Sequence, residues 1–150
     1  MPKKQPKYTN SPKPDKKVKL GGDPDSSLRQ KPAWRFNNRD KEHSEWGWNK
    51  LSPEEFIAIL DKYLCNFETM TWDEILKASG GKKQGNNHHN IDVSECCTAA
   101  QNRLLKLKIE IDQLFSLRLD GKCRLWGIKE GQILRFLWHD KDHTVYPLKH

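Results

Sequence analysis

The sequence predicts an α+β domain: an antiparallel sheet ending in a three-stranded meander, with about three helices packed on one face. Three observations predict it. Gln113 to Pro147 alternates apolar and polar residues in stretches separated by Asp120-Gly121 and Glu130-Gly131, the period of half-buried strands joined by hairpin turns. Upstream, Ser52 with Glu55, Thr71 with Glu74 and Asp92 with Glu95 each set a capping residue three positions before a glutamate, the mark of a helix start. The first 31 residues are rich in Lys, Pro, Asp and Ser with almost no large apolar side chain, so they bury too little surface to offset the entropy of ordering.

Residues 1–31 are therefore expected to be a disordered basic tail and residues 32–150 a single domain. The tail holds nine Lys/Arg against three Asp, a net of +6 out of the +7 of the whole chain, so the remainder is nearly neutral. Such a tail can add affinity for a polyanion without specificity, or act as a solvated, solubilising arm.

Pro32-Ala33-Trp34-Arg35-Phe36 reads as an edge strand, and Trp46 and Trp48 as lids on a small core or as stacking platforms for bases. Ser52 opens a helix with Pro53 at its first position. Phe56, Ile57, Leu60, Tyr63 and Leu64 follow at helical spacing, and the helix runs to about Cys65. A second, short helix starts at Thr71 and ends before Gly80-Gly81. Gly80 to Asn90, with three glycines, Lys82, Lys83, His88 and His89, reads as a loop that could contact phosphate or serve as a surface linker. Asp92 begins a third helix whose buried stripe is Val93, Cys96, Ala100, Leu104 and Leu107.

The meander's register follows from keeping one face apolar. A three-residue loop with Gly121 in the left-handed conformation pairs Leu117 with Cys123 and Phe115 with Leu125. A two-residue Glu130-Gly131 connection continues that face through Leu134, Phe136 and Trp138. The opposite face then carries Ser116, Arg118, Arg124, Trp126, Arg135 and His139, together with Ile133 and Leu137. It is a basic, aromatic platform open to solvent. After it come His139-Asp140-Lys141-Asp142-His143 as a turn and Thr144-Val145-Tyr146 as a final short strand.

Composition excludes several classes. Mean hydropathy is −0.94 and no run of about 18 apolar residues exists, so a membrane span is not expected. The basic N-terminus is not followed by an apolar segment, unlike a secretory signal. Cys65, Cys96, Cys97 and Cys123 show neither CxxC spacing nor a disulfide framework, which reads as reduced thiols in the cytoplasm. Cys96-Cys97 and His88-His89 are the candidate metal donors, but tetrahedral binding needs convergence that adjacent pairs do not supply. No metal and no cofactor is expected.

Metal-independent RNA cleavage needs a base for the 2′-hydroxyl, positive charge for the phosphorane and an acid for the leaving oxygen. Arginine grips phosphate bidentately and histidine titrates near neutrality. Arg118, Arg124 and Arg135 with His139 or His143 form a coherent set, and Trp126 could stack a base between them. Lys122, Lys82, Lys83, His88 and His89 are further RNA-contact candidates.

An edge strand, then helices, then a closing meander resembles the RelE-type toxin fold of ribosome-dependent mRNA interferases. Lys122-Cys123-Arg124-Leu125-Trp126-Gly127-Ile128 is similar to the H-R-L-V-Y strand of YoeB-like members. The resemblance places Arg124 on their active-site arginine and their terminal catalytic histidine on His143, or less closely on His139. It implies an endoribonuclease acting as a toxin or in defence, with RNA on the ribosome as substrate and an antitoxin protein as partner. The chain departs from the pattern in its greater length, its extra helix and 80–90 loop, its lack of a counterpart to the catalytic glutamate, and its extension past the last histidine. In the expected mechanism Arg124 stabilises the phosphorane, Arg118 and Arg135 hold phosphate, and His143 or His139 is general acid or base. Two rivals use the same residues differently. One is a non-catalytic nucleic-acid-binding module; the other is a protein-interaction partner that exposes Ile133 and Leu137.

Overall fold

The computed structural model describes residues 24–78 and 87–147. In chain order these form α1 (Pro24–Leu28), β1 (Ala33–Arg35), a 3₁₀ turn (Trp48–Lys50) and α2 (Pro53–Ile59). Helix α2 continues through a π-helical turn (Leu60–Leu64) into a last α turn (Cys65–Phe67). Then come α3 (Trp72–Lys77), β2 (His89–Asp92), a 3₁₀ turn (Val93–Glu95), α4 (Thr98–Lys106), β3 (Gln113–Asp120), β4 (Cys123–Glu130) and β5 (Ile133–Asp140). The five strands make one sheet in the order β1-β5-β4-β3-β2. β1 runs parallel to β5 and every other pair is antiparallel.

The α+β class, the closing meander and the helices packed alongside it are as expected. Both upstream capping boxes form: Ser52 Oγ accepts from Glu55 N at 3.1 Å while Glu55 Oε1 accepts from Ser52 N at 2.8 Å. Thr71 and Glu74 repeat the exchange at 3.2 and 2.9 Å. Each cap stabilises its helix start by about 1 kcal/mol.

The third helix start differs. Asp92 closes β2, where it pairs with Gln113 and accepts from Gln113 Nε2 at 2.9 Å, so its carboxylate is not free to cap. Helix α4 begins only at Thr98. His89 and Asn90, expected in a loop, lie in β2 because β3 offers them a ladder partner. Thr144–Tyr146 forms no strand; Val145 is buried and its N–H bonds to Asp140 Oδ2 at 2.9 Å.

Helices cover both faces of the sheet, not one. On the first face, Ile59, Leu64, Trp72 and Ile75 from α2 and α3 pack on Phe115, Leu117, Leu125, Leu134 and Phe136. On the second, Cys96, Ala100 and Leu104 beside and within α4 pack with Trp46 on Leu114, Trp126, Leu137 and Trp138. The face expected to be open is thus largely core. Leu137 is buried in it, which removes it from the exposed patch the interaction-partner rival requires.

Each hairpin register is offset by two residues from expectation, which preserves the facing of the side chains. Leu117 faces Leu125, and Ile128 faces Arg135. A bulge then changes the facing in β5. Trp126 pairs with Trp138 but Gly127 pairs with Phe136, leaving Leu137 as the extra residue. Trp138 therefore joins Trp126 on the second face, and His139 moves to the first. Gly127 permits the close approach: a Cβ there would lie 2.3 Å from the Arg135 carbonyl oxygen.

Two buried carboxylates satisfy two of the three indoles of this second core, and Trp46 Nε1 donates to Thr144 Oγ1 at 2.8 Å. Asp40 accepts from Trp138 Nε1 at 2.9 Å and takes a two-point ion pair from Arg103, both bonds 2.8 Å. Asp140 accepts from Trp126 Nε1 at 3.0 Å. A buried indole N–H without a partner is costly, so these aspartates fix where the tryptophans sit.

Candidate phosphate site at the meander's first turn

Arg118 and Arg124 stand directly opposite each other on β3 and β4, and Asp140 stands opposite Arg124 on β5. One step along the ladder, His89 pairs with Ser116, which pairs with Trp126. Strand alternation sets all of these on the second face, at the edge of its core.

Each arginine is held from its own side. Arg118 donates its backbone N–H to His88 Nδ1 at 3.0 Å and its Nη1 to Asn87 Oδ1 at 3.0 Å. Arg124 Nη1 donates to the carbonyls of Gly121 at 2.7 Å and Cys123 at 3.2 Å. Burial and the facing Arg118 charge both lower the Arg124 pKa, partly offset by Asp140. Like charges directly opposite in a sheet repel, and the Asp140 charge offsets part of that repulsion at Arg124.

Three histidines lie at this end of the sheet: His89 on the same face, His143 beside His89, and His88 on the first face behind Arg118. His88 is buried, edge-on to Phe67 with ring centroids 5.4 Å apart. Burial first, then Arg124, Arg118 and His89, push its pKa down to about 4. With Nδ1 accepting from Arg118, the neutral ring carries its proton on Nε2. His89 is lowered by burial, Arg124 and His143. His143 arrives from the turn after β5 in the left-handed conformation, φ 62°, a strained state for a non-glycine residue. Asp140 holds that turn by accepting from Thr144 N at 2.9 Å, Thr144 Oγ1 at 3.2 Å and Val145 N at 2.9 Å. Among the described residues, the Nδ1 atoms of His89 and His143 are buried with no hydrogen-bond partner, as is Trp34 Nε1 in the other core, and each such atom calls for a physical explanation.

The structure thus brings Arg118, Arg124 and His89 to one end of the second face, with His143 beside His89 and His88 behind Arg118, and separates the other candidates. His139 lies on the opposite face, its Nε2 3.6 Å from Cys123 Sγ, so it cannot share a phosphate with Arg124. Burial pushes the Cys123 thiol up to about 11, which makes this Cys–His contact packing rather than a nucleophile and base. Trp126 is fully buried and spends its N–H on Asp140; it cannot stack a base. Arg135 sits four β4 positions away, opposite Ile128, in an ion pair with Glu130 at 2.8 Å. Lys122 is exposed in the turn beside Arg124. Lys82 and Lys83 lie outside the described residues.

Asn87 and Asp140 escaped sequence reasoning. Asn87 belonged to a polar loop with no periodicity. Asp140 had a local signal, since Asp-x-x-x-Thr suits a side-chain-to-backbone turn, but two carboxylates in the same run competed for it. All four cysteines are free. Among the described residues, no three His, Cys, Asp or Glu side chains form a group that could hold a metal ion, and no helix is long and apolar enough to cross a membrane. No protein-family profile, curated protein or solved structure matches the chain.

Proposed function

We propose that this domain binds the RNA backbone at the Arg118–Arg124 pair and cleaves it by acid–base chemistry through His89 and His143. The observation that carries the reading is the facing arginine pair at the same end of the face as His89, whose Nδ1, like that of neighbouring His143, is buried with no hydrogen-bond partner among the described residues. The arginines supply the phosphorane charge. A neutral imidazole can take the 2′-hydroxyl proton, and the second, protonated, can give one to the leaving oxygen. His88 takes no part in proton transfer; it orients Arg118. The reading keeps the RelE-type resemblance, drawn from an edge strand, helices and a closing meander in that order, and with it a toxin or defence role in the cytoplasm, on the ribosome and under an antitoxin.

The second reading is an RNA-binding module without cleavage. What favours it is that burial and Arg124 drive His89 toward its neutral form, which leaves less of it protonated to serve as the acid. One experiment separates the two: cleavage and binding of single-stranded RNA, with and without EDTA, by the wild type, Arg124→Ala and His143→Ala. The nuclease reading expects EDTA-resistant cleavage lost in both variants, with binding lost only in Arg124→Ala. Binding without cleavage by the wild type, free or on ribosomes, selects the module. Induced expression adds a check, because growth arrest equal for wild type and Arg124→Ala counts against the nuclease.

A further inference from the structure

A second basic surface lies at the other end of the same sheet face, beyond the Trp126–Trp138 core. It is a groove of about 470 Å³ between the 38–42 loop and the end of α4. Its floor is aliphatic: the half-buried Leu107, Ile109 and Ile128, with buried Leu137 beneath them. Its walls carry Arg39, Lys41, Arg103 and Arg135 against Asp40 and Glu42. Asp40 is buried and already committed to Arg103 and Trp138. The Arg135–Glu130 bond is a surface pair whose carboxylate side chain is 57% exposed, so it contributes little and exchanges easily. On the last turn of α4, Leu105 is 75% exposed.

We infer that this groove docks an acidic, aliphatic-bearing segment of a partner protein. Charge complementarity selects an acidic occupant: with Asp40 and Arg103 neutralising each other, the walls leave Arg39, Lys41 and Arg135 against Glu42. The floor selects protein over RNA. Single-stranded RNA sites stack bases on exposed aromatic rings, and the aromatic ring lining this groove, Phe136, is 1% exposed. Aliphatic side chains fill such a floor, and carboxylates beside them meet guanidinium groups at the rim. The inference stands apart from the RNA reading, because none of the four walls' cations belongs to the Arg118–Arg124 cluster.

The test uses the ¹⁵N-labelled full chain and three probes: a synthetic amphipathic Glu/Leu peptide, its Lys/Leu counterpart, and a single-stranded RNA oligonucleotide. The acidic peptide is expected to shift the amides of Leu107, Ile109 and Ile128 and leave Arg118 and Arg124 unmoved. Lys41→Glu, a fully surface change, is expected to weaken it about tenfold, and Ile128→Thr to do likewise through the floor. The inference is overturned if the acidic peptide moves none of these amides, or if both peptides bind equally. It is overturned too if RNA alone occupies the groove. Concentration-dependent self-association abolished by Lys41→Glu also overturns it, since the occupant is then a second copy presenting the acidic, Ile57-bearing surface of α2.

Discussion

Arg118 faces Arg124 across the β3–β4 ladder, and the Arg124 guanidinium spends its own hydrogen bonds on two backbone carbonyls, those of Gly121 and Cys123. A like-charge pair in this position costs the fold about 0.2–1 kcal/mol. Arg124→Gln is therefore expected to leave stability within about 1 kcal/mol of wild type, while RNA affinity falls about tenfold. Paired urea unfolding and RNA titration check this. Parallel loss of stability and affinity would mark Arg124 as structural.

Asp140→Asn separates positioning from binding. The carboxylate carries Trp126 Nε1 and the turn that delivers His143, and its charge faces Arg124. The variant is expected to cleave RNA more slowly, because His143 loses its fixed approach. Its binding is expected to be unchanged or tighter, because a negative charge beside the phosphate is gone. Single-turnover cleavage with a separate binding isotherm measures both, and weaker binding contradicts the assignment.

The pH dependence has a defined sign. His88 has its folded pKa depressed from 6.5 to about 4, so the unfolded chain binds the extra proton in that window. Its contribution is fully present above pH 6.5 and is lost as pH falls toward 4, on the order of 3 kcal/mol. His88→Asn keeps an acceptor for the Arg118 N–H and removes the titration. Urea unfolding at pH 7 and pH 5 is expected to show a much smaller drop in the variant.

Asp40 acts in a lower window. Burial raises its pKa, but bonds from Arg103 and Trp138 and the Arg103 charge outweigh burial and hold it at about 2, against an ordinary 3.8. A depressed carboxylate stabilises above its unfolded pKa and loses that contribution as pH falls toward 2. Asp40→Ala strands Arg103 and the Trp138 N–H, an expected loss of about 3–5 kcal/mol at neutral pH. Thermal or urea unfolding reads it, and a change under 1 kcal/mol contradicts the hub.

Gly127→Ala tests the bulge. The added Cβ would meet the Arg135 carbonyl oxygen, an overpacking expected to cost about 1–3 kcal/mol and to disturb the amides of Leu137 and Trp138 in an HSQC spectrum.

The helices anchored by Ser52 and Thr71 were legible because their caps are local and satisfied within four residues. The meander was legible because its alternation is strict up to Phe136. What followed was not, since the Leu137 bulge comes from packing Gly127 against Arg135 and leaves no mark in the pattern of β5. That single extra residue moved His139 away from the arginines and Trp138 beneath them. Helix α4 fell on the wrong face because Asp92 and Glu95 mimic a cap while β3 recruits Asp92 into a ladder. In the candidate site, Arg118, Arg124 and His143 were readable from alternation and turn position. Their grouping with His88 and His89 depends on β2 pairing with β3 across more than twenty intervening residues, a contact no local preference announces.

The most direct measurement is a phosphate titration of the full chain followed through the imidazole resonances of His43, His88, His89, His139 and His143. An anion seated against Arg118 and Arg124 should shift the rings of His89 and His143, raise the His89 pKa, and leave His139 and His43 unmoved. Equal small shifts at every histidine, or none at His89 and His143, would contradict the assignment of this corner of the sheet as a phosphate site.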